Sequence, residues 1–223
     1  MKKHIKNLKK KLKIFDPKLK EECGVFGISN AKDASALTAL GLHALQHRGQ
    51  ESAGIVSFDG KNFNNQLNLG LVGDYFTKEK VIKRLPGYAA LGHVRYSTTG
   101  KTLFKNIQPL FADLQGGGLA CSHNGNLTNG IELRKRLIRE GSIFQSTSDT
   151  EAFIHLISKS KEKTIVKKII DALHEIKGAY SFGLLTNKKL IGIRDPLGIR
   201  PLVLGSLGKA KIISSETCAL DII

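Results

Sequence analysis

Four short stretches of the sequence carry side chains able to do chemistry. They are Cys23, then Gly92-His93 with Arg95 and Ser97-Thr98-Thr99, then Ser122-His123-Asn124-Gly125-Asn126, and last Ser148-Asp149-Thr150-Glu151. Cys23 stands where the polar, lysine-rich run KLKEE gives way to the apolar run GVFGI. It reads either as a small buried residue opening a strand or as a nucleophile waiting for the chain before it to be removed. Each of the other stretches also has a plain structural reading. Arg95 suits a surface ion pair, and Asn124-Gly125-Asn126 suits a tight turn, since Asn and Gly tolerate positive φ. Ser148 to Glu151 suits a helix start, with Ser148 as the cap, Glu151 completing a capping box and Asp149 favoured by the helix dipole. His93 and His123 read as hydrogen-bonded supports rather than metal ligands, because no carboxylate or thiol lies at a ligand spacing from either.

The elements that must position these groups follow from apolar periodicity. A buried strand is expected at 24–29 and an apolar-periodic helix at 33–48 with Asp33 as its cap. Paired strands are expected at 52–58 and 61–70 about Asp59-Gly60, and another at 88–95, followed by a Ser/Thr/Gly-rich loop through 102. The run GLACSHN (118–124) reads as a strand entering the Asn-Gly-Asn turn. Helices follow at about 129–140, 149–160 and 163–176, and then four strands in SFGLLTN, KKLIGIRD, RPLVLGS and KAKIISS. Without regular alternation of strand and helix, the order predicts an α+β domain of mainly antiparallel sheets with helices outside them. All four polar stretches then fall at strand ends or in loops, where a rigid sheet can aim side chains into one cleft.

The chain has 223 residues, 41% hydrophobic and 24% charged, a globular composition long enough for a well-buried core. No apolar run approaches the roughly eighteen residues needed to span a bilayer, and the basic N-terminus lacks the apolar centre of a secretory signal. Cys23, Cys121 and Cys218 are widely spaced with no C-x-x-C, which indicates neither a disulfide framework nor a local zinc site and points to a reducing cytoplasm. Cys121 and Cys218 are expected to be structural. The net charge is +16, of which residues 2–22 carry +6 through nine lysines against Asp16, Glu21 and Glu22. The rest is spread thinly, with no interleaved aromatics and no helix-turn-helix, zinc-finger or RNP-like pattern, so nucleic-acid binding is not expected. Residues 1–20 read as a loose basic helix or tail that Pro17 ends.

Taken together, the four stretches sit inside a longer set of matching words. From ECGVFGI onward the sequence resembles the class II glutamine amidotransferase domain, a family of N-terminal-nucleophile hydrolases. The resemblance is carried in order by ECGVFGI, LHALQHRGQESAGI, GHVRYSTTG, QPL (108–110), HNGNLTN, SIFQSTSDTE, KGAYSF, RDPLGIRPLVLG and SSETCALD, across residues 21–221. Hexosamine-forming members resemble YRGYDSAG and GHTRWATHG instead of HRGQESAG and GHVRYSTTG. The sequence is closer to the branch that delivers ammonia to phosphoribosyl pyrophosphate in the first committed step of purine synthesis.

The resemblance implies a four-layer αββα sandwich. It implies a propeptide, 1–22, removed autocatalytically after Glu22, and a glutaminase domain, 23–223. Cys23 would then be nucleophile and, through its own α-amine, base; an α-amine titrates at roughly 7.7–8.0, whereas an amide nitrogen accepts no proton near neutrality. Asn124 and Gly125 would form the oxyanion hole, Arg95 with Thr98 nearby would hold the α-carboxylate of L-glutamine, Asp149 would hold its α-ammonium, and Arg48 would support the nucleophile. In whole enzymes of this branch a phosphoribosyltransferase domain follows, bringing phosphoribosyl pyrophosphate, Mg²⁺, in some members a 4Fe–4S cluster, and homo-oligomers. The sequence stops at CALDII, as a helix begins, so this chain is expected to end before that domain and to bind no cofactor itself. Two further readings stand beside this one: the glutaminase domain of another class II amidotransferase, or a non-catalytic remnant kept as a binding subunit.

Overall fold

Val25 and Phe26 are neighbours in sequence and both fully buried. Successive strand residues point to opposite faces, so both faces of this strand must be covered. That one observation defines the architecture. The computed structural model describes residues 23–96 and 103–223; the expected propeptide (1–22) and Thr98 lie outside the described residues.

In chain order the elements are β1 (Gly24–Ser29), α1 (Ala34–Ala44), a 3-10 turn (Gln46–Arg48), β2 (Ser52–Phe58), β3 (Phe63–Leu69), the short helices α2 (Val72–Tyr75) and α3 (Glu79–Ile82), β4 (Ala89–Arg95), a second 3-10 turn (Phe104–Asn106), β5 (Leu110–Leu114), β6 (Gly117–Leu127), α4 (Gly130–Arg139), α5 (Asp149–Lys159), α6 (Ile165–Glu175), β7 (Gly178–Thr186), β8 (Leu190–Arg194), β9 (Val203–Leu207), β10 (Ala210–Ser214) and α7 (Cys218–Asp221). The strands form two sheets, ordered β3-β2-β4-β1-β10-β9 and β5-β6-β7-β8. Every neighbouring pair is antiparallel. The expected α+β class is what the chain adopts.

Three apolar layers separate four layers of structure. Phe26, Ile28, Leu42, Leu45, Ile55 and Val94 pack between the first sheet and α1. Val25, Val56, Leu91, Ala120, Leu185 and Ile213 fill the space between the sheets. Leu119, Cys121, Phe153, Ile157, Phe182 and Leu184 pack the second sheet against α4, α5 and α6. The even–odd split holds along β1, β4 and β6, and each large side chain so buried contributes about 1.5–3 kcal/mol. Gly41 lets α1 approach closely, since a Cβ there would fall 2.4 Å from the Phe26 ring.

Several local expectations are corrected. The helix expected over 33–48 ends at Ala44 and continues as the Gln46–Arg48 turn; Asp33 precedes it but makes no side-chain cap bond. Asn124-Gly125-Asn126 is not a turn. It lies inside β6, whose pairing with β7 runs unbroken from Leu119↔Thr186 to Leu127↔Gly178. Gly125 holds φ +146, and a Cβ there would sit 2.2 Å from the Ala179 carbonyl oxygen, so glycine is needed for close strand approach rather than for chain reversal. β5, α2 and α3 have no counterpart among the expected elements, because four or five residues are too few to display a period.

Candidate active site

Cys23 immediately precedes β1, and its main chain is held from both ends by one residue. Its N–H donates to the Arg48 carbonyl oxygen at 2.9 Å, and its own carbonyl accepts from Arg48 Nε at 2.7 Å. Arg48 is 1% exposed although it carries a full charge. Among the described residues Glu216 supplies a counter-charge, its Oε1 accepting from Arg48 Nη1. Burial pushes the Glu216 carboxyl up, but the hydrogen bond and charge of Arg48 and the neighbouring His47 outweigh this and hold it below the usual glutamate value. The Cys23 thiol lies 3.6 Å from the Tyr96 carbonyl oxygen, and Cys23 itself has φ +65.

The thiol opens onto a cavity of about 760 Å³ whose walls include Cys23, Arg95, Gly125, Arg134 and Asp149. Arg95, the last residue of β4, donates from Nη1 to the Asn106 carbonyl oxygen at 2.7 Å, while its buried Nε has no hydrogen-bond partner among the described residues. Asn106 is fixed in turn by Thr147, through Nδ2 to Thr147 Oγ1 (2.8 Å) and Oδ1 from Thr147 N (2.9 Å).

Asp149 begins α5. Ser148 caps the helix by accepting from Thr150 N, as expected. The capping box does not form: Glu151 reaches past Ser148 to accept from the backbone N–H groups of Gln145 and Ser146, both at 2.7 Å, while Ser148 N donates to Ser146 Oγ. Asp149 Oδ2 accepts from Leu127 N at 2.9 Å, and Oδ1 lies 3.4 Å from His123 Nδ1. Burial raises the carboxyl, yet the hydrogen bond and charge of His123 and the N–H groups of Leu127 and Thr150 hold it below the ordinary aspartate value. Asp149 is therefore a carboxylate at neutral pH, facing the same cavity as the thiol and Arg95.

Asn124 is placed differently from Gly125. Gly125 lines the cavity, whereas Asn124 is fully buried just behind it. On β6 the even positions face the other sheet: Ala120 lies in the inter-sheet layer and Ser122 Oγ donates to the Gly92 carbonyl at 3.4 Å. Asn124 continues that face, and neither atom of its amide has a hydrogen-bond partner among the described residues. A buried amide left unpaired at both ends costs stability and is rarely retained without use.

The two histidines are hydrogen-bonded supports, as read from the sequence. His93 Nε2 donates to the His123 carbonyl at 3.1 Å, a bond that ties the first sheet to the second. Burial, with a smaller contribution from the Arg95 charge, pushes the His93 pKa down to about 3 against the pull of that carbonyl. His123 N donates to Gln108 Oε1 at 2.7 Å, and Thr150 Oγ1 is within 3.2 Å of both His123 Nδ1 and Gln108 Nε2. Gln108, Asn106, Arg134 and Glu216 had no assigned role; Gln108 and Glu216 fall within the matching words QPL and SSETCALD, which was the available signal. Cys121 is fully buried, with its thiol pushed far up by burial and by Asp149, an inert core residue. His47, Glu216 and Cys218 bring ligand-type atoms within 4.8 Å of one another, but the Glu216 carboxylate already serves Arg48 and His47.

A thiol, a guanidinium and a carboxylate around one cavity, beside unpaired amide groups, match an α-amino acid that presents a carbonyl to the thiol. Residues 93–221 match the family model described as "Glutamine amidotransferase domain". The chain belongs to the glutamine amidotransferase family. It is 58% identical over 205 residues to the amidophosphoribosyltransferase of Rhizobium etli, an alignment covering 92% of this chain and 41% of that protein. Among solved structures it is similar to glutamine phosphoribosylpyrophosphate amidotransferase from B. subtilis, solved with ADP and GMP, with a TM-score of 0.84 and 44% identity over 90% of this chain and 43% of that one. It is equally similar to a structure described as the allosteric regulatory enzyme of purine biosynthesis, with a TM-score of 0.86, 45% identity and the same coverage. The fold is thus the N-terminal-nucleophile hydrolase sandwich, and the chain spans about two-fifths of the length of the relatives it matches.

Proposed function

We propose that this chain hydrolyses L-glutamine to glutamate and ammonia, as the glutaminase half of an amidophosphoribosyltransferase. The observation that carries the reading is the single cavity shared by the Cys23 thiol, Arg95 and Asp149. Arg95 takes the α-carboxylate in a charge-assisted contact, and Asp149 takes the α-ammonium. The Cys23 thiolate attacks the side-chain carbonyl, and the Asn124 amide and the Gly125 N–H receive the developing oxyanion. The α-amine of Cys23 accepts the thiol proton and returns it to the departing ammonia. Water then attacks the γ-glutamyl thioester, giving glutamate and restoring the thiol. Arg48 supports this step by fixing the Cys23 main chain.

For the α-amine to act as base, residues 1–22 must be removed. The left-handed φ of +65 at Cys23 supports that step. A cysteine held there carries strain on the order of 1–3 kcal/mol. A φ angle exists only when a residue precedes, so cleavage after Glu22 would abolish the strain.

In the complete enzyme the ammonia would pass to phosphoribosyl pyrophosphate to form 5-phosphoribosylamine. That step belongs to the part of the longer relatives this chain does not span, together with Mg²⁺, any 4Fe–4S cluster and homo-oligomer formation. A cytoplasmic location without nucleic-acid or membrane binding fits the cysteine usage and charge distribution; among the described residues no helix is long and apolar enough to cross a membrane. The test is ammonia release from glutamine by the purified chain beside Cys23→Ser and Cys23→Ala. Both variants are expected to be inactive, and equal release by Cys23→Ala overturns the assignment. N-terminal sequencing of active protein should begin at Cys23, and an active protein retaining Met1 or Lys2 rules out the cleavage.

A further inference from the structure

The residues around Cys23 form a closed frame rather than a set of separate contacts. Arg48 holds the Cys23 N–H through its carbonyl and the Cys23 carbonyl through Nε. Two residues along, Val25 is held by Ser215 in the same fashion: Val25 N donates to Ser215 Oγ at 2.9 Å, and Ser215 N donates to the Val25 carbonyl at 2.9 Å. Glu216 follows directly and is steadied by Ser214, whose Oγ donates to the Glu216 carbonyl at 2.8 Å. Its carboxylate reaches Arg48 Nη1 with Oε1 and meets His47 Nε2 at 3.0 Å and the Cys218 thiol at 3.6 Å with Oε2. The frame therefore runs from Cys23 to Arg48, to Glu216, along the backbone to Ser215 and back to Val25.

We propose that Glu216 is a positioning residue for the nucleophile, acting on Cys23 through the Arg48 guanidinium. Arg48 is buried and charged, and a guanidinium taken from water is held in place only by fully formed charge-assisted contacts. Glu216 neutralises Arg48 on the side away from Cys23, which leaves Nε aimed at the Cys23 carbonyl. With the carboxylate gone, the guanidinium swings toward other acceptors, and the Cys23 carbonyl loses its donor. Once Cys23 is the first residue, its carbonyl contact with Arg48 Nε at 2.7 Å holds its main chain from one side, and when that hold weakens the thiol moves relative to Gly125 and Arg95. A displacement of about 1 Å at a nucleophile is enough to cost on the order of a hundredfold in rate. The substrate-holding groups Arg95 and Asp149 lie outside the frame, so binding of glutamine is untouched.

This inference rests on the reading of Cys23 as a glutaminase nucleophile, and the experiment separates the two. Glutamine hydrolysis by the full chain is measured for Glu216→Gln and Glu216→Ala, with thermal melting and the rate of Cys23 alkylation by iodoacetamide recorded in parallel. The expected result is a kcat lowered about ten- to a hundredfold, more for alanine than for glutamine, at a KM changed by no more than about threefold. The alkylation rate should shift at least about threefold in the folded Glu216→Gln protein, whatever the turnover. Cys218→Ala, which removes a neighbour of Oε2 alone, should leave kcat unchanged. Wild-type kcat and alkylation in folded Glu216→Gln overturn the proposal, as does a loss confined to KM. If Glu216→Ala fails to fold, Glu216→Gln decides. Turnover equal in Cys23→Ala and wild type overturns the glutaminase reading instead, and the alkylation rates still judge Glu216.

Discussion

The two sides of the cavity differ in how completely their polar groups are paired. On the nucleophile side, Arg48 closes onto both ends of the Cys23 main chain and onto Glu216. On the other side, among the described residues, the Asn124 amide is fully buried with neither atom paired, and Arg95 Nε is buried and unpaired beside a guanidinium otherwise anchored to Asn106. The first arrangement fixes an atom that must attack from one direction. The second holds donors and acceptors in place, desolvated, at a cost that only a bound molecule can recover. Stability and activity should therefore be separable on one side of this site and inseparable on the other.

The largest test of that contrast is Asn124→Ala. If the Asn124 amide receives the oxyanion, its loss lowers kcat by about a hundred- to a thousandfold. Because it makes no hydrogen bond among the described residues, the unfolding free energy should stay within about 1 kcal/mol of wild type. Steady-state ammonia release and urea unfolding on the same preparation read both quantities. Equal losses of activity and stability would place Asn124 among the structural residues and erase the contrast.

Arg48→Lys probes the opposite side and should move both quantities. A lysine keeps the charge and its burial cost but offers a single nitrogen, which cannot serve the Cys23 carbonyl and Glu216 in the fork that Arg48 uses. The expected cost is about 2–3 kcal/mol of stability, with a parallel fall in turnover, read by urea unfolding beside the glutaminase assay. A variant of wild-type stability with reduced turnover would show that the frame is no more closed than the substrate side.

The same contrast explains which parts of the site could be read from sequence. The α+β class and the bounds of α4, α5 and α6 follow closely from periodicity over ten or more residues, whereas α1 stops short at Ala44, and α5 begins where Ser148-Asp149 announces it. Cys23, Arg95, Gly125 and Asp149, which come from four separate matching words, line one cavity. Asn124-Gly125-Asn126 was legible as residues but not as conformation, since glycine between asparagines signals a turn unless a neighbouring strand approaches as closely as Ala179 does. Glu216 lies within the matching word SSETCALD, but nothing in that word points to its partner. Its partner Arg48 lies 168 residues away, and only the pairing of β1 with β10 brings the two together. Thr98 and residues 1–22 lie outside the described residues.

The smallest effect concerns the joint between the two sides. His93 sits on β4, in the sheet of the nucleophile, and donates Nε2–H to the carbonyl of His123 in the sheet of the substrate groups, while its Nδ1 is buried and unpaired among the described residues. Its pKa is lowered to about 3, so the folded protein keeps the ring neutral while the unfolded chain protonates it near 6.5. Between these values the unfolded state binds the extra proton. Stability is therefore whole above pH 6.5 and declines as pH falls toward 3, by at most about 1.4 kcal/mol per pH unit. Asp149 and Glu216 are lowered carboxylates, and their contributions are lost only below their ordinary values of 3.8 and 4.5. Between pH 6.5 and 4.5 these carboxylates are silent, and His155, which burial also lowers, shares the slope with His93, so urea unfolding of wild type is compared with a His93 variant to isolate that ring. His93→Gln, whatever its baseline stability, should flatten the slope in that window by about one proton. An unchanged slope would mean that the ring reaches water and the joint between the sheets is open.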